Sequence, residues 1–196
     1  MLAFFTLLAF VAFMVGTPGP ANLILMLAGV RQGLRQCIGF ILGLIVGKIA
    51  LNLVIGFGFG IVLAEAPVWQ MLLSYVSAGY MIWLALKSWP ASDADTKNAK
   101  PAQGHFRFRN GLFVHPINPK AWVMCVLAWG EFAPALGDFS VQFPVVILTF
   151  AICQLCFHNL WCWLGTIMGR SFHNNVRLVR AMIISTVVIV LVAVLL

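Results

Sequence analysis

Apolar positions fall in long runs, and several reach the roughly 20 residues that a helix needs to cross a hydrocarbon core about 30 Å thick. Six spans are predicted, near residues 2–28, 38–63, 68–87, 110–134, 142–168 and 178–196. Short polar stretches separate them, except for 88–109, whose Pro, Ala, Ser, Asp and Lys content reads as a flexible linker. The expectation is an all-α polytopic membrane protein forming a single membrane domain over 1–196, with repeat one at 1–87, a cytoplasmic linker at 88–109 and repeat two at 110–196. Three spans on each side of the linker is an odd number, so the halves lie in opposite orientations. Any internal repeat is therefore inverted.

Two spans are interrupted. Gly16-Thr17-Pro18-Gly19-Pro20 lies inside the first run, and His115-Pro116-Ile117-Asn118-Pro119-Lys120 opens the fourth. Each proline removes a backbone donor and collides with the carbonyl four residues earlier. Pro18 and Pro20 thereby free the carbonyls of Met14 and Gly16, and Pro116 and Pro119 free those of Leu112 and His115. In hydrocarbon such groups are tolerated only where protein or a water-filled cavity receives them. Helices 1 and 4 are thus expected to be broken, and paired interruptions in corresponding helices point to a transporter's binding site. Thr17-Pro18 and Asn118-Pro119 each read as a cap followed by proline at the first helical position. The two new helix starts would face each other near mid-membrane and favour a carboxylate. The freed carbonyls would favour an ammonium group. The alternative is a pair of kinks that only shape helix packing.

Charge gives the orientation. All but two of the twelve Lys and Arg residues lie in loops one, three and five, whereas Glu65, Glu131 and Asp138 lie in loops two and four. The positive-inside rule then places both termini on the periplasmic side. With 62% hydrophobic and 9% charged residues, the net charge of +7 marks membrane topology and not a nucleic-acid partner. The first run is too long for a signal-peptide core and has no basic flank, so it is read as retained.

The remaining two lysines, Lys48 and Lys120, lie about ten residues inside their spans, or about 15 Å deep. Gly19 and His158 lie at similar depth. A charge there costs at least about 2.5–3.5 kcal/mol, so it faces the interior and marks a functional site by default, with snorkelling to an interface as the alternative. Asn52 shares a helix face with Lys48, and Gln154 and Cys162 share one with His158. Asn22 lies one turn beyond the first break. The candidate substrate-binding set is Thr17, Pro18, Gly19, Pro20, Asn22, Lys48, Asn52, Asn118, Pro119, Lys120, Gln154 and His158. For the polar members, interhelical hydrogen bonding without substrate contact is the competing role.

Other patterns carry less. Gly56-Phe57-Gly58-Phe59-Gly60 lacks the strand context of a phosphate loop. Gly39, Gly43 and Gly47 recur every four residues, which lets two helices approach closely. Cys37, Cys125, Cys153, Cys156 and Cys162 all lie in or beside apolar runs and behave as small hydrophobes. Tyr80, Trp83 and Trp89 read as interface anchors.

The run G-T-P-G-P-A-N followed by G-x-R-x-G-x-R-Q, the stretch Ser77–Trp89, Phe108-x-x-Gly111 and Asn118-Pro119-Lys120-Ala121 together resemble the LysE/RhtB family of amino-acid exporters (LysE-type translocators). The resemblance spans most of the chain and thins after about residue 135. It implies a bacterial inner-membrane exporter driven by the proton gradient, with both proline motifs lining the site. The lysine-exporting branch suits a cationic substrate, but here no carboxylate lies in the middle of any span and Lys48 occupies span two. That favours a neutral or anionic substrate.

The resulting expectation is a multi-pass protein of the cell inner membrane. It would be a secondary transporter that exports small neutral amino acids or related metabolites and couples to a proton. Its partners are a small molecule and the lipid bilayer. No enzymatic activity, cofactor or metal is expected, and homo-oligomerisation is left open. A thiol-disulfide electron conduit and an intramembrane enzyme are the alternatives. The first lacks a cysteine in the first span, and the second lacks a carboxylate or metal-ligand cluster within the spans.

Overall fold

Among the described residues the chain forms eight α-helices, two of the breaks between them falling at the proline motifs. The computed structural model describes residues 1–59, 67–89, 106–171 and 176–195, and among these there are helices and turns but no strand. Helices α1 (Leu2–Gly16) and α2 (Pro20–Gln32) meet at a 55° bend. Helix α3 (Leu34–Val54) continues into a wider turn, Ile55–Phe59, that ends its regular winding around Gly58 at φ 95°. Helix α4 covers Pro67–Leu86. Helix α5 (Phe108–Ile117) gives way at Asn118 to α6 (Pro119–Leu127), which also loosens into a wide turn, Ala128–Phe132. Helices α7 (Phe139–Ser171) and α8 (Val176–Leu195) complete the chain.

The all-helical expectation holds, and the chain presents apolar helices of membrane-crossing length. Leu34–Gly58 and Phe139–Ser171 are long and apolar enough by themselves, and the bent pair α1–α2 makes a third span if taken as one. Their outer faces carry Phe13, Leu42, Val46, Leu148 and Ile152, all exposed. Such a surface is unfavourable in water and matches acyl chains. The helices run somewhat past the expected bounds: α3 starts at Leu34 and α7 at Phe139. The far end of the second span, Glu65, and most of the 88–109 linker with Asp93, Asp95, Lys97 and Lys100 lie outside the described residues.

Two glycine contacts hold the helices at backbone distance. On α3, Gly43 and Gly47 abut the carbonyls of Phe108 and Leu112, while Gly111 of α5 abuts the carbonyl of Phe40. A Cβ at any of these would enter the opposing backbone. The expectation from the four-residue repeat holds for Gly43 and Gly47, while Gly39 has more room. Likewise Gly29 of α2 abuts the carbonyl of Cys162, and Gly165 of α7 that of Met26. Backbones this close gain dispersion and Cα–H···O contacts where no hydrophobic drive exists between helices in lipid.

The core is divided in two. One apolar cluster includes Leu27, Phe40, Leu44, Met81, Leu84 and Ile183, and the other Leu7, Val11, Leu51, Met124 and Phe150. Along α3 the first cluster ends at Ile45 and the second begins at Leu51. Along α7 the division falls between Cys153 and Cys162. In both helices the polar residues lie in the seam: Lys48 on α3, and Gln154 and His158 on α7. The two proline breaks fall in the same seam.

Candidate functional site

At the first break the chain is fully extended. Thr17 has φ −66° and ψ 148°, and Gly19 has φ −174° and ψ 172°. The helix restarts at Pro20, where a missing N–H costs nothing. This corrects the expected cap: Gly19, not Thr17, precedes the first helical residue, and no side chain caps α2. Leu23 N donates to Gly19 O at 3.0 Å. The amides of Ala21 and Asn22 therefore remain at the open end of the helix. The second break follows expectation. Asn118 Oδ1 accepts from Lys120 N at 3.0 Å, so α6 is capped and α2 is not.

The carbonyls at the first break are already engaged. Met14 O accepts from Thr17 Oγ1 at 3.1 Å and Gly16 O from Trp161 Nε1 at 3.1 Å. Asn22 Nδ2 donates to Val15 O at 2.8 Å and to Thr17 O at 2.9 Å. At the second break, His115 O accepts from Asn118 N at 3.0 Å and Pro116 O from Trp122 Nε1 at 2.7 Å. Of the carbonyls expected to be freed, those of Met14, Gly16 and His115 thus each have a partner within the protein. A freed carbonyl costs less beside a protein donor than beside a vacant cavity.

The breaks do meet. Lys120, the second residue of α6, reaches across and donates from Nζ to Thr17 Oγ1 at 3.0 Å. Its ammonium lies against Gly19, where an added Cβ would stand 3.3 Å from Nζ. This explains the glycine at an extended position that any residue can adopt: the space belongs to the lysine. The ammonium thus sits at the uncapped end of α2, where the helix dipole is also positive. Among the described residues the carboxylate side chains are Glu131 and Asp138, both exposed.

Beside it lies a cavity of ≈ 30 Å³ whose polar wall comprises Asn22, His115, Asn118, Lys120, Gln154 and His158. The imidazoles of His115 and His158 stack at 5.4 Å and 17°. Gln154 Nε2 lies 3.0 Å from His115 Nε2. His115 Nδ1, His158 Nδ1 and Gln154 Oε1 are buried without a hydrogen-bond partner. As placed, the Gln154 amide donates to His115 Nε2, leaving Gln154 Oε1 as an acceptor and His115 Nδ1–H as a donor. With the amide flipped, the roles exchange. Either way one buried donor and one buried acceptor stand unpaired, which is costly unless something binds them.

The predicted residues separate into groups. Gly19, Pro20, Asn22, Asn118, Lys120, Gln154 and His158 line this cavity. Pro18 and Pro119 line an adjoining space of ≈ 420 Å³, and Thr17 bears on the site through Lys120. Lys48 and Asn52 are not brought to either lining. Lys48 is 0% exposed, donates to Ala121 O at 2.9 Å and lies 4.6 Å from the centre of the Phe150 ring. It anchors the first turn of α6 from behind. Asn52 donates to Lys48 O at 3.1 Å and accepts from Trp129 Nε1 at 3.2 Å, so it ties α3 to the turn after α6. His115 was not among the candidate residues. Its position three residues before Asn118 in the proline motif was the available signal.

Tyr80 also does more than anchor an interface: its hydroxyl donates to Asn110 O at 2.7 Å and so joins α4 to α5. Among the described residues no group of His, Cys, Asp or Glu is arranged to hold a metal ion. The five cysteines are free, and Cys125, near the second break, is buried beside Lys48.

The family model described as LysE type translocator matches residues 12–196. A cysteine/O-acetylserine efflux protein of Salmonella choleraesuis is 30% identical over 164 residues, 82% of this chain and 81% of that protein. A homoserine/homoserine lactone efflux protein of Salmonella typhimurium is 26% identical over 141 residues, covering 71% and 68%. An uncharacterized membrane protein of Vibrio cholerae is 27% identical over 135 residues, 67% of this chain but 65% of that protein, just under two thirds of its length. No solved structure matches the chain.

Proposed function

Given that the chain belongs to the LysE type translocator family, we propose that it is a secondary transporter exporting neutral amino acids across the bacterial inner membrane in exchange for protons. One observation carries the reading. The Lys120 ammonium lies between the two broken helices, at an uncapped helix start, with no carboxylate to pair it among the described residues. A substrate carboxylate supplies that missing charge, held by Lys120 and the amides of Ala21 and Asn22. The α-ammonium enters the small cavity and meets whichever acceptor Gln154 and His115 leave unpaired. His158 stacks behind them.

Exchange follows from the arrangement in which the Gln154 amide is flipped and His115 Nδ1 is the acceptor. That nitrogen cannot hold both the substrate ammonium and a proton, and Lys48 and Lys120 nearby disfavour a second cation. Substrate and proton therefore compete for the cavity, so loading one expels the other. Export as the direction rests on the relatives named as efflux proteins.

We read six crossings, α1–α2, α3, α4, α5–α6, α7 and α8, with basic loops inside and both termini in the periplasm. The glycine contacts pair span one with span five and span two with span four. Those pairs exchange under an inverted repeat, which supports two halves rocking about the seam. The thiol-conduit alternative is not favoured, because Cys125 is buried beside an amine rather than exposed to a partner thiol.

The test is counterflow in proteoliposomes with labelled amino acids, with and without a pH gradient. Exchange of neutral amino acids, inhibited as the external proton concentration rises on the loading side, is the expected result. Turnover of an amino-acid derivative in detergent, without sealed vesicles, would instead establish an enzyme.

A further inference from the structure

The small cavity, at ≈ 30 Å³, holds a water-sized group, for which about 10–15 Å³ suffices. An α-ammonium fits it, whereas a side chain of several carbons has its room in the adjoining space. The adjoining space is ≈ 420 Å³, and the two share Gly19, Pro20, Asn118 and Lys120 in their walls. Beyond that shared wall the larger space is lined by Met81 of α4, Val123 of α6, and Ile189 and Val190 of α8, with Pro18 and Pro119. These side chains offer no hydrogen-bonding group apart from the weakly accepting Met81 sulfur. The polar side chains of its lining, Asn118 and Lys120, lie at the shared wall.

We propose that this space is the side-chain pocket of the transporter and that it selects α-amino acids with apolar side chains of several carbons. This deepens the functional reading above and rests on it. With the carboxylate on Lys120 and the ammonium in the small cavity, the third substituent of the α-carbon is directed into the larger space. There each methylene leaves water for an apolar surface, and a hydroxyl finds no partner. Val123 and Ile189 at the rim are 52% and 38% exposed, so a lipid chain is the competing occupant. A lipid chain would leave the Lys120 charge unpaired, which favours a ligand with an anionic end.

The experiment is competition counterflow in proteoliposomes with the unbranched series alanine, 2-aminobutyrate, norvaline and norleucine, plus homoserine as the near-isostere of norvaline. Apparent affinity should tighten about fourfold per added methylene, equivalent to about 0.8 kcal/mol. Norvaline should outcompete homoserine by at least about fivefold, because the hydroxyl is buried unpaired. Val123→Trp, which fills the rim, should shrink the norleucine-to-alanine ratio. A flat series, homoserine equal to norvaline, or a Val123→Trp protein with the wild-type ratio would each overturn the pocket. In those cases, transport that still requires a free carboxylate leaves the general reading intact. If no amino acid competes at any length, both proposals fail together.

Discussion

Replacing Lys120 with Met separates the charge of this residue from its bulk. The ammonium makes one hydrogen bond, to the uncharged Thr17 Oγ1 at 3.0 Å, and lies at an uncapped helix start with no carboxylate partner among the described residues. In the empty protein its charge is therefore poorly compensated, and an isosteric apolar chain should leave stability unchanged or raise it. With substrate bound, the same ammonium pairs with an anionic acceptor, a class of interaction worth about 1.5–3 kcal/mol. Removing it should weaken apparent affinity about 10-fold to 150-fold. The assay is a thermodynamic cycle in proteoliposomes, with Lys120→Met and wild type each tested with an amino acid and its α-amide. The amide lacks the carboxylate, so the substitution should cost little for it. Equal losses for acid and amide would refute the pairing, as would an unchanged affinity for the acid in a folded variant.

Gly19→Ala places a Cβ 3.3 Å from the Lys120 ammonium, whose flexible end must move a few tenths of an ångström. Thermal stability should hold while affinity falls by tenfold at most, against the roughly 100-fold cost of a 1 Å misplacement. Gly43→Ala drives a methyl group into the Phe108 carbonyl and should lower stability by about 1–3 kcal/mol in a detergent melt, without changing the substrate preference of what remains folded. Asn52→Leu leaves the Trp129 indole N–H without its acceptor. It should destabilise by about 1–3 kcal/mol while KM stays unchanged, because Asn52 lines neither cavity.

The broken helices were legible because proline acts locally. Its missing N–H and its ring clash are covalent properties of Pro18, Pro20, Pro116 and Pro119, and no neighbouring helix can restore the lost bond. A common level along the helices was legible for a similar reason: helical rise is constant, so counting residues put Lys48, Lys120 and His158 at one height, and all three lie in the seam of the core or at its edge. The close-packed glycine stripe of Gly43 and Gly47 was also readable from spacing alone. What the tertiary structure decided is which polar group meets which. Two lysines at equal depth take different roles because α3 turns Lys48 toward the Ala121 carbonyl, while α6 sends Lys120 across to Thr17. Helical phase and crossing angle set those directions, and neither is written in any single segment. The same holds for the freed Gly16 carbonyl at the first break, which Trp161 of α7 reaches only once the helices have packed. His115 becomes part of the site because α7 brings Gln154 and His158 against it.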